Sequence, residues 1–170
     1  DIYKKYNIKK FIYERSKKSP DTLYAKSKMI DENLLTNKIS RDKLLIFRIP
    51  GVYGPKLNSF LNSLKNNFIQ NKPIKVYNHG RNYRDFLYIK DIVKVISIFL
   101  TTNSVGTYNI SSGKSFVINE IIEIFQKKFI TKSKIIYPSK ENESSNYNLF
   151  ISNSKILKKL NNFRFTSIES

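Results

Sequence analysis

Leu44-Leu45-Ile46-Phe47-Arg48-Ile49-Pro50-Gly51-Val52-Tyr53-Gly54-Pro55 reads as a short, nearly continuous apolar strand that runs straight into a loop. An apolar run of this length, bounded by breakers, is the pattern of a strand covered on both faces. Pro50, Gly51, Gly54 and Pro55 punctuate the loop after it. The period changes on both sides. Residues 22–38 are predicted helical, with Met29, Ile30, Leu34 and Leu35 at helical spacing, and residues 58–70 place Phe60, Leu61, Leu64 and Phe68 on one helix side. A buried strand flanked by helices is the unit of an α/β fold.

The same alternation continues downstream. Residues 74–77 and 84–89 are predicted strands, with a turn at Asn78-His79-Gly80 between them. An apolar helix is expected over 91–101, opening on Asp91 and carrying Ile92, Val95, Ile96 and Phe99. A strand at 106–110 follows and stops at Ser111-Ser112-Gly113. A helix at 118–129 turns Ile118, Ile121, Ile122 and Phe125 inward. Residues 135–138 are extended, 139–148 polar and loop-like, and a last helix starts near Asn153, a plausible N-cap residue, with Ile156, Leu157 and Leu160. There are no internal repeats and no long linker.

Upstream of the opening strand, Pro20-Asp21-Thr22-Leu23-Tyr24-Ala25-Lys26-Ser27-Lys28 sets a tyrosine and a lysine four residues apart behind helix-entry signals. Residues at i and i+4 share a helix face. An ammonium close to a phenol favours its ionised form, which is the chemistry of a general base. The spacing alone is weak, because it occurs three times: Tyr6/Lys10, Tyr13/Lys17 and Tyr24/Lys28. Tyr13/Lys17 runs into Pro20, and Tyr6/Lys10 has no helix start. Only Tyr24/Lys28 follows Pro20 and Asp21 and leads into a helical pattern.

At 170 residues the chain is long enough for one domain. It opens in mid-pattern without an initial methionine, and is expected to be a piece of a longer protein. The absence of cysteine excludes disulfides, cysteine metal sites and a thiol nucleophile. No apolar run approaches the ~20 residues of a membrane helix, so no membrane partner is expected, and a cytoplasmic location fits. The formal charge of +18 raises a nucleic-acid-binding module as one alternative. The basic residues are mostly lysine, spread singly or in pairs along the chain with no basic tail. That pattern favours a solvated surface and a lysine-rich codon usage over a nucleic-acid partner. His79, the only histidine, sits in a Gly/Asn turn with no second metal ligand nearby, so no metal is expected.

Five motifs line up in order: Tyr24-x-x-x-Lys28; Arg48-Ile49-Pro50-Gly51-Val52-Tyr53-Gly54-Pro55; Gly80-x-x-x-Arg84-Asp85-Phe86-Leu87-Tyr88-Ile89-x-Asp91; Tyr108-Asn109-Ile110; and Asn153-Ser154-Lys155-Ile156-Leu157. Together they resemble the NAD-dependent epimerase/dehydratase family, the extended short-chain dehydrogenases that modify nucleotide sugars. The likeness spans about residues 1–166. It implies the second half of a Rossmann-like doubly wound parallel sheet plus a small C-terminal substrate-binding subdomain. Residues 1–50 would be the remainder of the Rossmann-like domain with the Tyr/Lys helix. Residues 51–170 would be a mixed substrate-binding region with returning Rossmann elements.

The resemblance also implies roles. Tyr24 would be the catalytic acid/base, and Lys28 its partner and a ligand of the nicotinamide ribose. Pro50 and Gly51 would lie between cofactor and sugar, although many members carry asparagine at the Gly51 position. Arg84 would grip the substrate diphosphate, and Lys75 and Tyr77 would flank the nucleotide base. Asp85 and Asp91 read as a structural turn residue and a helix cap, and Asn109 as structural. Ile2-Tyr3 and Glu14 resemble upstream family elements, which would place a catalytic Ser/Thr just before residue 1 and put Asp1 where dehydratases carry an acid. The five glycines form no G-x-x-G-x-x-G loop, so the nucleotide-binding half is expected to be missing and the chain to bind dinucleotide poorly alone. The implied cofactor is NAD, with NADP open. The implied partners are a nucleotide-diphosphate sugar and, in the full protein, a second copy in a homodimer. A UDP-glucose 4-epimerase-like reaction is the favoured expectation, and a non-catalytic fragment or pseudoenzyme the other alternative.

Overall fold

The computed structural model describes residues 23–139 and 148–169. The readings made on Asp1, Ile2-Tyr3, Tyr6/Lys10, Glu14, Tyr13/Lys17, Pro20 and Asp21, and most of the polar stretch 139–148, fall outside the described residues.

Helix α1 (Leu23–Lys38) leads into strand β1 (Leu45–Arg48), then β2 (Gly51–Tyr53) and α2 (Phe60–Ile69). Next come β3 (Ile74–Lys75), a 3-10 turn (Tyr77–Gly80), β4 (Tyr83–Arg84), β5 (Phe86–Tyr88) and α3 (Ile89–Thr101). The last elements are β6 (Gly106–Asn109), β7 (Phe116–Val117), α4 (Ile118–Phe129), β8 (Ile135–Ile136) and the one-turn α5 (Ser154–Leu157). The fold class is α/β with parallel pairing. β1 pairs with β6 from Leu45↔Gly106 to Arg48↔Asn109, β2 with β5 from Gly51↔Phe86 to Tyr53↔Tyr88, and β3 with β8. Among the described residues only β4 and β7 pair antiparallel.

Parallel neighbours need a crossover, and the crossovers here carry the helices that cover the strands. This gives two apolar clusters. One joins Leu87 of β5 and Ile92, Val95 and Phe99 of α3 to Tyr108, Ile110, Ile156 and Leu160, with Leu45 and Phe47 of β1 packed against it. The other joins Leu61, Leu64 and Phe68 of α2 to Ile74, Val76, Phe86, Phe116 and Ile121 and Ile122 of α4. Phe60, expected inward, is 42% exposed. It is the first residue of α2, after Ser59 has capped the helix by accepting from the Asn62 amide at 3.3 Å. Its ring stacks on Phe86 from outside, with centroids 6.0 Å apart.

Three local readings are corrected by long-range pairing. The Pro50–Pro55 loop contains a strand, because Gly51–Tyr53 finds β5 as partner. The strand expected over 84–89 breaks at Asp85, whose buried carboxylate accepts from the Ser111 and Ser112 hydroxyls. Asp91 does not cap its own helix. It lies in the first turn of α3, buried, and accepts from the Thr166 amide at 2.6 Å, which ties the C-terminal segment down.

Candidate active site

Helix α1 presents the Tyr/Lys pair in the open. Tyr24 is 73% exposed, and the Lys28 ammonium stands 5.8 Å from the centre of its ring. The Lys28 Nζ also donates to the Asp31 carboxylate at 3.0 Å. That hydrogen bond, with the charge of Asp31, raises the Lys28 pKa, so Lys28 is a cation at neutral pH. The Ser27 hydroxyl donates back to the Tyr24 carbonyl at 2.8 Å and stays within the helix.

The helix forms where it is expected but buries none of its residues. At 100° per residue, Leu23, Ile30 and Leu34 fall within about 40° of one another, while Ala25, Met29 and Glu32 lie on the opposite side. Those last three are the partly covered ones, so this side meets the body of the protein. Glu32 makes the contact specific. It accepts from Arg48 Nη2 at 2.6 Å and from Nε at 3.1 Å, a two-pronged ion pair between α1 and the end of β1. The sequence reading missed this pair. Its only local trace is that Tyr24, Lys28 and Glu32 repeat at i, i+4 and i+8.

Two residues beyond Arg48, the chain passes through Pro50 and Gly51. Gly51 is exposed and opens β2, opposite Phe86. A Cβ added there would meet Phe86 Cδ1 at 2.8 Å. A side chain at this position would have to displace the Phe86 ring, so glycine fits where an asparagine would crowd. The β2–β5 ladder therefore brings Pro50-Gly51 beside Asp85-Phe86, next to Arg84. Arg84 is half-buried and donates from Nη1 to the Tyr83 carbonyl at 2.9 Å. Lys75 and Tyr77 are exposed and belong to the β3–β8 ladder and its following turn. In that turn Asn78 and His79 take left-handed backbone, at φ 51° and 50°. His79 is exposed, and its ring stacks on Tyr137 with centroids 5.8 Å apart.

Tyr53, in the same Gly/Pro segment, is not a competing base. Burial, helped by the charge of Asp91 and by Tyr88, pushes its phenol up to about 12, and its hydroxyl points to the Thr166 carbonyl. Among the described residues no group of three or more His, Cys, Asp or Glu could hold a metal ion, and no helix is long and apolar enough to cross a membrane. The α1 face presents an ammonium and a phenol in the open. A pyrophosphate cradle is a different requirement. All five glycines lie at positions 51, 54, 80, 106 and 113, and none forms a glycine loop ahead of a helix.

Comparison with known proteins gives a consistent set. The model of the NAD dependent epimerase/dehydratase family matches residues 3–111. The dTDP-D-glucose 4,6-dehydratase of Dictyostelium discoideum is 34% identical over 117 residues, covering 64% of this chain and 26% of the relative. The solved structure of MoeE5 in complex with UDP-glucose and NAD superposes with a TM-score of 0.78 at 20% identity, over 88% of this chain and 52% of that one. The UDP-glucose 4-epimerase of Thermus thermophilus, in complex with NAD, gives 0.74 at 18% identity, over 82% and 48%. The chain thus spans about a quarter of the curated relative and about half of these solved structures.

Proposed function

Since the chain belongs to the NAD dependent epimerase/dehydratase family, we propose that it carries the Tyr/Lys helix and the sugar-nucleotide half of an NAD-dependent enzyme that oxidises a nucleotide-diphosphate sugar. The observation that carries this reading is the α1 face. It holds an exposed phenol and a cation on one side of a helix tied to the strand that leads into Pro50-Gly51. The 4,6-dehydratase relative and the 4-epimerase neighbour differ in outcome. The first step proposed here, oxidation of a sugar hydroxyl to a ketone, is compatible with either ending, and a UDP-glucose 4-epimerase-like return of the hydride to the other face is the favoured one.

Tyr24 takes the hydroxyl proton as the C–H bond of the same carbon breaks. Lys28 keeps a positive charge beside the phenolate that Tyr24 becomes in its basic form. NAD, when bound, supplies the oxidant that receives the hydride, and Lys28 would hold its ribose while Pro50 and Gly51 line its approach to the sugar. Arg84 would present a planar guanidinium to the diphosphate, and Lys75 and Tyr77 would flank the nucleotide base. Residues 1–50 would be the remainder of the Rossmann-like domain with the Tyr/Lys helix, and 51–170 a mixed substrate-binding region with returning Rossmann elements such as β6, which pairs with β1. The assembled protein works as a homodimer.

Hydride transfer measured with UDP-glucose and NAD tests this, in the chain alone and in a fusion behind the glycine-loop half of a relative. The chain alone is expected to be silent, because its sequence holds no glycine loop for the pyrophosphate of the dinucleotide. The fusion is expected to turn over, and Tyr24→Phe in it to lose about 10²- to 10⁴-fold in kcat, the usual worth of a positioned acid/base. A fusion in which Tyr24→Phe keeps full activity would refute the reading.

A further inference from the structure

We infer that the Arg48–Glu32 ion pair is a positioning device that sets the roll and tilt of the Tyr24/Lys28 helix against the sheet. The inference rests on the reading of Tyr24 and Lys28 as the reacting pair. None of the residues of this helix is buried, and only Ala25, Met29 and Glu32 are partly covered. The leucine and isoleucine stripe of α1 even points away from the body, opposite the side that carries Glu32. Among the described residues, a fork joins that side to the end of β1. Two guanidinium nitrogens, Nη2 and Nε, each reach a different carboxylate oxygen, at 2.6 and 3.1 Å. Two parallel bonds restrict rotation about the contact, which a single point charge would allow.

The anchor itself is rigid. Arg48 closes the parallel β1–β6 ladder opposite Asn109, and its carbonyl accepts from the Ile110 amide at 2.9 Å. Asn109 is held in turn by donating to the Ser152 carbonyl at 3.3 Å. Glu32 follows Lys28 by one turn and Tyr24 by two, on the same broad face. At 1.5 Å per residue the ion pair lies about 12 Å along the axis from Tyr24, so a tilt of only about 5° at Glu32 would move the phenol by about 1 Å. A displacement of that size at a reacting group costs on the order of 10²-fold in rate. Arg48 is also two residues from Pro50. The same side chain therefore references the helix to the segment proposed to lie between cofactor and sugar.

The chain has no native cysteine, so two introduced ones can carry spin labels cleanly. Lys26→Cys on α1 and Lys94→Cys on α3 are both exposed sites. In this 170-residue chain the distance distribution between the labels is expected to broaden and shift in Glu32→Gln. In Arg48→Lys, which keeps the charge but loses the fork, the change is expected to be smaller. The reversed pair Glu32→Arg with Arg48→Glu should restore the wild-type distribution. A pair that merely adds stability would lower the melting temperature and leave the distances of the folded protein unchanged. Unchanged distances in Glu32→Gln, or a reversed pair that fails to restore them, overturn the inference whatever the enzyme assay shows. In the active fusion, Glu32→Gln should lower kcat about 10²-fold with KM unchanged. If the distances respond but Tyr24→Phe remains fully active, the catalytic reading fails while the geometric role of the pair stands.

Discussion

Asp85 is a carboxylate enclosed by two serine hydroxyls, each of which has a second acceptor within reach. The Ser111 Oγ contacts Asp85 Oδ2 but also reaches the Ile151 carbonyl at 3.0 Å, and it accepts from the Gly113 amide at 2.9 Å. One hydroxyl proton serves one acceptor. If it goes to Ile151, the bond to Asp85 needs a proton from the carboxyl. Burial acts in the same direction and pushes the Asp85 carboxyl up to about 6, against the lowering effect of its hydrogen bonds. The folded state then binds this proton more tightly than the unfolded chain does. Its contribution to stability is present at low pH and is lost as pH rises from the ordinary carboxylate value towards about 6. The shift corresponds to roughly 3 kcal/mol. Asp85→Asn cannot ionise. The stability of the wild type relative to Asp85→Asn should therefore rise on going from about pH 7 to about pH 4, as read by urea unfolding of both proteins. A gap that stays constant between those conditions would show that Asp85 is ionised in the folded protein and that its turn is held by a charged carboxylate.

At the scale of elements, α4 ends on a misfit. Glu120 reaches back to accept from the Val117 amide at 3.0 Å and closes the first turn. The other end stops at Ile130, with φ 45° and ψ 53°, its amide donating to the Gln126 carbonyl. This left-handed cap position suits glycine, while a β-branched residue there costs on the order of 1 kcal/mol. Ile130 is 92% exposed, so the side chain returns little by packing. Ile130→Gly should raise the urea midpoint, by about 0.5–1 kcal/mol in stability, with the m-value unchanged. A lower midpoint would mean the exposed isoleucine contributes a contact that outweighs its strain. The period of α2, α3 and α4 made them legible in the sequence, because each buries a single stripe. β1 and β6 were legible as apolar runs between breakers. What a local pattern cannot carry is pairing. The strand inside the Gly/Pro segment exists only because β5 lies beside it, and the break at Asp85 only because Ser111 and Ser112 arrive from the far side of α3. α1 ends at Lys38 as read, but its helically spaced Ile30, Leu34 and Leu35 are left exposed. Nor was Arg48 visible as the partner of Glu32, sixteen residues away.

Across the whole molecule, two tendencies oppose each other. Leu23, Ile30 and Leu34 are 86%, 54% and 50% exposed on the outward side of α1, an apolar row that no described element covers. A formal charge of +18 makes any two copies repel. The repulsion is long-range and screened by salt, with a Debye length falling from about 30 Å at 0.01 M to about 8 Å at 0.15 M. Apolar contact is short-range and survives that screening. Self-association of the chain should therefore increase with salt, as measured by sedimentation velocity at fixed protein concentration. Replacing Leu34 and Ile30 by glutamine should remove most of the increase while leaving the melting temperature near its starting value, since neither side chain is buried. Binding of a nucleic-acid duplex through the same charge would move the opposite way, weakening with salt as counterions are no longer released to advantage. The sign of the salt effect thus separates the two readings of a basic chain. Association that falls with salt, or that the Ile30→Gln and Leu34→Gln pair leaves untouched, would assign the contact to charge or to another surface, and the exposed row of α1 would then be a solvated face.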